Sequence, residues 1–180
     1  MVRQITHSQS HHYIEKVRYN TRMRIIGIDP GYDRFGMAII ERVNGKETVL
    51  HSSCATTDKK ALFPDRLKAV GDALAAAIVA HTPGALALEQ LFFNKNVKTA
   101  LGVAEARGVA LYVARTHNLP VFEYSPQAVK IATTGYGKSE KKQVEEMLFR
   151  LVQNVPKKAL DDEYDAIAVA LACLVSERWN

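Results

Sequence analysis

"GIDPGYDRFG", residues 27–36, puts an aspartate at the tip of an apolar strand. Ile25, Ile26 and Ile28 lead into Asp29, and Pro30-Gly31 follows at once. Proline lacks the N–H a strand ladder needs, and glycine frees the backbone to turn, so the strand ends here. A carboxylate in that place either caps the turn or faces something positively charged.

The segments around it are read by their period. Residues 24–28 form the first strand, and "FGMAIIER", 35–42, and "ETVLHSSCA", 47–55, form two more. Asn44-Gly45 between the last two is a hairpin signal, because both residues tolerate positive φ. Leu67, Val70, Leu74 and Ile78 then recur at helical spacing, with Pro64 near the start and Pro83-Gly84 past the end. "ALALE", 85–89, is a short buried strand that also ends in a carboxylate. A long helix over about 96–117, the strand "VFEY" and a helix opened by Ser125-Pro126 come next. The loop "TTGYGKSEKK" leads into a helix over about 139–152, and a last helix covers about 161–177. A hairpin unit followed by strand–helix alternation predicts an α/β fold: a mixed five-stranded sheet with helices on both faces.

Composition limits the classes. The chain has 180 residues, 47% apolar and 24% charged, which suits one well-cored globular domain. Its longest apolar run, 166–175, is far short of a membrane span. No leader with a cleavage site is recognisable. Cys54 and Cys173 have no paired spacing and read as reduced core residues of a cytoplasmic protein. The net charge is +5, of which +3 falls in residues 1–22. That leader is polar and without period, and it is followed by Met23. It reads as a disordered basic arm or an upstream start, with nucleic-acid binding as the sharper alternative. The predicted domain is therefore 23–180.

Four acids stand out. Asp29 and Glu89 each end a strand, and strands one and four can lie side by side. "LDDEYDAIAVA", 160–170, places Asp162 and Asp165 three apart on one helix face. Asp161 and Asp165 would share a face equally well, so spacing leaves that choice open. Each acid alone has an ordinary explanation as a turn residue or helix-start charge. Converging carboxylates need a compensating cation, and no Lys or Arg adjoins any of them in sequence. An all-oxygen cluster suits Mg²⁺ or Mn²⁺ rather than zinc.

The blocks "GIDPG", "ALEQLFFNKN", "EARGVALYVA", "VFEYSPQAVK" and "DEYDAIAVA", in this order, resemble the landmarks of RuvC-type Holliday junction resolvases. These are crossover junction endodeoxyribonucleases of the ribonuclease H-like superfamily, and the resemblance covers about residues 23–177. It implies a ribonuclease H-like sheet. It implies a catalytic, metal-binding tetrad of Asp29, Glu89, Asp162 and Asp165, with the "AIAVA" register favouring Asp162 over Asp161. The implied chemistry is hydrolysis by two Mg²⁺ per site, with Mn²⁺ able to substitute, leaving 5′-phosphate and 3′-hydroxyl ends. Lys141 is implied at the site and on DNA, with Lys130 on DNA and Lys138 and Lys142 adding charge. Phe92 is implied to stack at the junction centre while Phe93 packs inside. Arg107 on the long helix contacts phosphate or pairs with Glu105's turn. Symmetric cutting of four-way junction DNA implies a homodimer, and the resemblance adds the branch-migration partners RuvA and RuvB.

Two other classes fit the sequence less well. A related ribonuclease H-like enzyme acting on RNA would lack "EQLFFNKN". A non-catalytic DNA-binding module has no need of four matched acids, and an actin-like ATPase needs a second such domain.

Overall fold

The structure, a computed structural model, describes residues 23–43, 45–91 and 97–179. The basic arm read over 1–22 lies outside the described residues. Five strands lie where the periodicity places them: β1 (Arg24–Asp29), β2 (Arg34–Val43), β3 (Lys46–Thr56), β4 (Ala85–Glu89) and β5 (Val121–Tyr124). Between and after them run α1 (Phe63–His81), α2 (Val97–Thr116), α3 (Pro126–Thr134), α4 (Lys141–Leu151) and α5 (Asp161–Ser176). A further strand, β6 (Val152–Gln153), corrects the five-stranded expectation to six. Two residues are too few to show a period, and β6 exists only because it reaches β3, Glu47 opposite Val152.

The sheet order is β5-β4-β1-β2-β3-β6. β1, β2 and β3 are antiparallel neighbours, while β4 and β5 run parallel to β1. Val43 opposite Lys46 closes the β2–β3 hairpin in two residues, and Gly45 takes φ +77°, as the Asn-Gly signal requires.

Each face of the sheet has its own core. Ile26, Ile28, Phe35, Met37, Ile39, Leu86 and Leu88 pack with Val70, Leu74 and Ile78 of α1 and Ala110 and Ala114 of α2. Ile25, Ala38, Ile40, Ala85 and Ala87 pack on the other face, with α5 and with Val129 of α3 and Val144 and Leu148 of α4. α5 is buried from Ala166 to Leu174, which explains its continuous small-and-apolar sequence. Glycine lets it come so close. A Cβ on Gly27 would strike the Ala166 carbonyl and stand 2.7 Å from the Ala170 Cβ. No helix among the described residues is long and apolar enough to cross a membrane.

Candidate active site

Strand parity sets which way the acids face. Ile25 belongs to the α5 side and Ile26 and Ile28 to the α1 side, so alternation carries Asp29 to the α5 side. The same count from Ala85 and Ala87 carries Glu89 to that side. Ile28 pairs with Leu88 on the parallel β4, so Asp29 and Glu89 follow on neighbouring strands at one sheet end.

α5 brings the other two acids to this end. Its first turn contains Asp161, Asp162 and Glu163, where free N–H groups favour negative charge. Glu163 holds that turn in place: its carboxylate accepts from the Leu160 N–H and, at 2.6 Å, from the Ser52 hydroxyl of β3. Gly36, opposite Asp29 in the β1–β2 ladder, leaves room for the Asp162 backbone.

The acids feel one another. The Asp29 carboxyl is pushed up from 3.8 to about 7, first by burial, then by the negative charges of Asp165, Asp162 and Glu89. Lys141 alone opposes this. Glu89 is also raised, by burial and then by Asp165, with Lys130 pulling it back. Asp161 is exposed and is not among the charges acting on Asp29. Of the two aspartates that spacing left open, Asp162 is the one whose charge reaches Asp29.

The compensating cations come from distant parts of the chain. Lys141, the first residue of α4, donates to Asp165 Oδ2 at 2.8 Å and lies 3.4 Å from Asp161 Oδ2. Burial opposes its charge, but the Asp165 hydrogen bond and both aspartates outweigh that and hold the ammonium above its ordinary range. Arg34 Nε lies 3.1 Å from Asp162 Oδ2. That N–H is not aligned on the oxygen, and Asp162 Oδ2 is buried without a hydrogen bond. Sequence reasoning passed over Arg34. Its signal was parity: two residues before Gly36 on β2, it faces the α5 side like Asp29.

The donor set fits hard divalent cations: four carboxylates, one with an orphaned buried oxygen, and oxygen ligands only. Among the described residues no three His, Cys, Asp or Glu side chains are gathered at ligand spacing. Four like charges repel, and two of them are taken up by Lys141 and Arg34 instead.

Around this centre Lys130 is half-buried on α3, while Lys138 and Lys142 are exposed. The loop between α3 and α4 is tightly bonded. The Ser139 hydroxyl donates to the Tyr136 carbonyl and meets the Thr134 hydroxyl at 2.6 Å, leaving Tyr136 exposed. Arg107 is not in this group. It lies in α2, on the opposite face of the sheet, and its guanidinium pairs at 2.5 Å with Glu123 of β5. Its ion-pair partner is thus Glu123 rather than Glu105's turn. Phe92 and Phe93 lie outside the described residues.

A mixed sheet with three antiparallel strands, two parallel ones and acids from β1, β4 and α5 at one end defines a class, the ribonuclease H-like nucleases. Within it the chain belongs to the RuvC family. The family model described as "Crossover junction endodeoxyribonuclease RuvC" matches residues 25–173. A protein of that name from Thermosipho melanesiensis is 41% identical over 159 residues, 87% of this chain and 100% of the relative. One from Alkaliphilus oremlandii is 43% identical over 151 residues, 83% of this chain and 91% of the relative. The structure of Thermus thermophilus RuvC in complex with Holliday junction substrate superposes with a TM-score of 0.78 at 27% identity, covering 83% of this chain and 92% of that one.

Proposed function

We propose that this protein is a structure-selective DNA endonuclease that resolves Holliday junctions in recombination and repair. The observation that carries this reading is the mutual coupling of Asp29, Glu89, Asp162 and Asp165, brought from three elements to one sheet end. Family membership supplies the substrate class.

Asp29, Glu89, Asp162 and Asp165 would hold two Mg²⁺, or Mn²⁺ in its place. When bound, divalent ions activate a water and stabilise the leaving 3′ oxygen in phosphodiester hydrolysis. Asp29 feels the charges of Asp165, Asp162 and Glu89 at once, which supports a ligand role for it. With its carboxyl pushed up to about 7, Asp29 would have to lose a proton to act as a ligand. Lys141 and Lys130 lie beside the acids and bind the phosphates flanking the cut. Lys138 and Lys142 widen the positive rim and hold the DNA arms by charge. Phe92, three residues beyond Glu89, stacks on a base unpaired at the branch point. The products carry 5′-phosphate and 3′-hydroxyl ends. Symmetric resolution needs two such sites about a two-fold axis, hence a homodimer, working in the cytoplasm beside the branch-migration proteins RuvA and RuvB.

The test is incubation with a mobile four-way junction, a linear duplex and an RNA–DNA hybrid, with and without Mg²⁺. Cleavage of the junction alone, and only with metal, is expected. Preferential cutting of the hybrid would overturn the substrate assignment.

A further inference from the structure

Among the described residues, Arg34 is a cation at the site that the expected machinery does not use. It opens β2 next to the Asp29 end of β1, and strand parity turns it to the α5 side. Asp162 is the only acid within 4.0 Å of it among the described residues. The neighbouring Asp33 is engaged elsewhere, by Arg66 and Lys59. The two site cations are held very differently. Lys141 makes a direct hydrogen bond to Asp165. The Arg34 guanidinium makes no hydrogen bond to any described residue, and its side chain is 50% exposed against 14% for Asp162. It balances charge without being fixed.

We infer that Arg34 is a charge-exchange residue: it neutralises Asp162 in the metal-free protein and, once Asp162 is a metal ligand, binds a backbone phosphate of the DNA beside the cut. The inference rests on the proposed nuclease function and adds a residue to it. Two facts support it. A half-exposed ion contact without aligned hydrogen bonds is weak, so releasing it costs little. And the freed guanidinium presents a planar fork of N–H donors that matches phosphate oxygens, which a lysine in the same place would not. A cation that neutralises Asp162 competes with metal, while a cation on phosphate strengthens DNA binding. One residue therefore has opposite effects on the two ligands.

The experiment compares wild type with Arg34→Gln and Arg34→Lys in three measurements. These are Mn²⁺ affinity without DNA by titration calorimetry, the salt dependence of junction binding in Ca²⁺, and the rate of junction cleavage in Mg²⁺. Arg34→Gln is expected to bind Mn²⁺ about 3-fold tighter or more, because a competing positive charge is gone. Its slope of log affinity against log salt should fall by about 0.7–0.9, the signature of one lost phosphate contact. Its cleavage should be about 10–100-fold slower, and Arg34→Lys should restore the salt slope but only part of the rate. Unchanged or weaker Mn²⁺ binding, or an unchanged salt slope, overturns the inference. Failure of the wild-type protein to cut any junction would instead overturn the nuclease reading, and the first two measurements would still judge Arg34.

Discussion

The backbone carbonyl of Asp162 occupies the space in which a side chain on Gly36 would stand. Gly36 also lies opposite Asp29 in the β1–β2 ladder, so one missing Cβ sets the distance between the strand-end acid and the helix-borne pair. Gly36→Ala should push the first turn of α5 away from the sheet. It should destabilise the fold by about 1–3 kcal/mol, as overpacking does. It should also depress cleavage far more than that loss explains, because a small displacement of a ligand set is costly to catalysis. Chemical denaturation together with cleavage at a temperature where the variant stays folded checks this. A variant that loses stability but cuts at the wild-type rate would show that this close approach does not position the acids.

Asp29 links stability to pH. Its folded pKa of about 7 lies above the ordinary 3.8, so between those values the folded protein keeps a proton that the unfolded chain has lost. Without metal, the contribution of this group is therefore favourable below about pH 4 and is lost as pH rises through about 7. Asp29→Asn removes the buried charge. In EDTA at pH 8 it should stabilise the protein by about 1–3 kcal/mol, with little effect at pH 4. In wild type, Mn²⁺ affinity should rise with pH up to about 7, because binding releases the Asp29 proton. Thermal melts at the two pH values, and calorimetry in buffers of different ionisation enthalpy, test both statements. A destabilised Asp29→Asn at pH 8 would contradict them.

Arg107 and Glu123 tie α2 to the β5 edge. Arg107→Met and Glu123→Gln should each lower stability, and a double-mutant cycle should give a coupling of about 0.5–1 kcal/mol. Junction affinity should be unchanged in both. A loss of affinity in Arg107→Met that Glu123→Gln does not share would return Arg107 to the DNA surface.

Removing residues 1–22 should leave melting temperature and metal-dependent cleavage as they are. Met23 adjoins the Arg24 end of β1, whereas Asp29 is at the other end, six residues along, or about 20 Å of extended strand. Melts and cleavage rates of the shortened chain decide this. Failure to fold or cut would show that the segment belongs to the domain.

The elements and two of the acids were legible because their signals are local. Asn-Gly and alternating apolar residues mark the hairpin, and Asp29 and Glu89 stand at strand ends beside turn residues. The choice between Asp161 and Asp162 was not local, since both share a face with Asp165. It depends on how α5 sits on the sheet, and Gly27 and Gly36 determine that. Glycines inside strands signal a close backbone approach, and these two could have been read so. The cations were illegible for a related reason. Lys141 and Arg34 meet Asp165 and Asp162 only through the fold, and Arg107 finds Glu123 across the sheet face. β6 is too short for any pattern, and its pairing with β3 is wholly tertiary.

On the proposed function, the four acids at this sheet end hold metal for cutting, while basic residues hold the junction. A labelled four-way junction incubated with wild type, Asp29→Asn, Glu89→Gln and Asp165→Asn tests it most directly, with binding measured in Ca²⁺ and cleavage in Mg²⁺. Wild type should make paired nicks on opposing strands. The three variants should not cut, yet each should bind the junction with an affinity close to wild type. Cleavage surviving in any of the three, or binding lost as completely as cleavage in all of them, would contradict it.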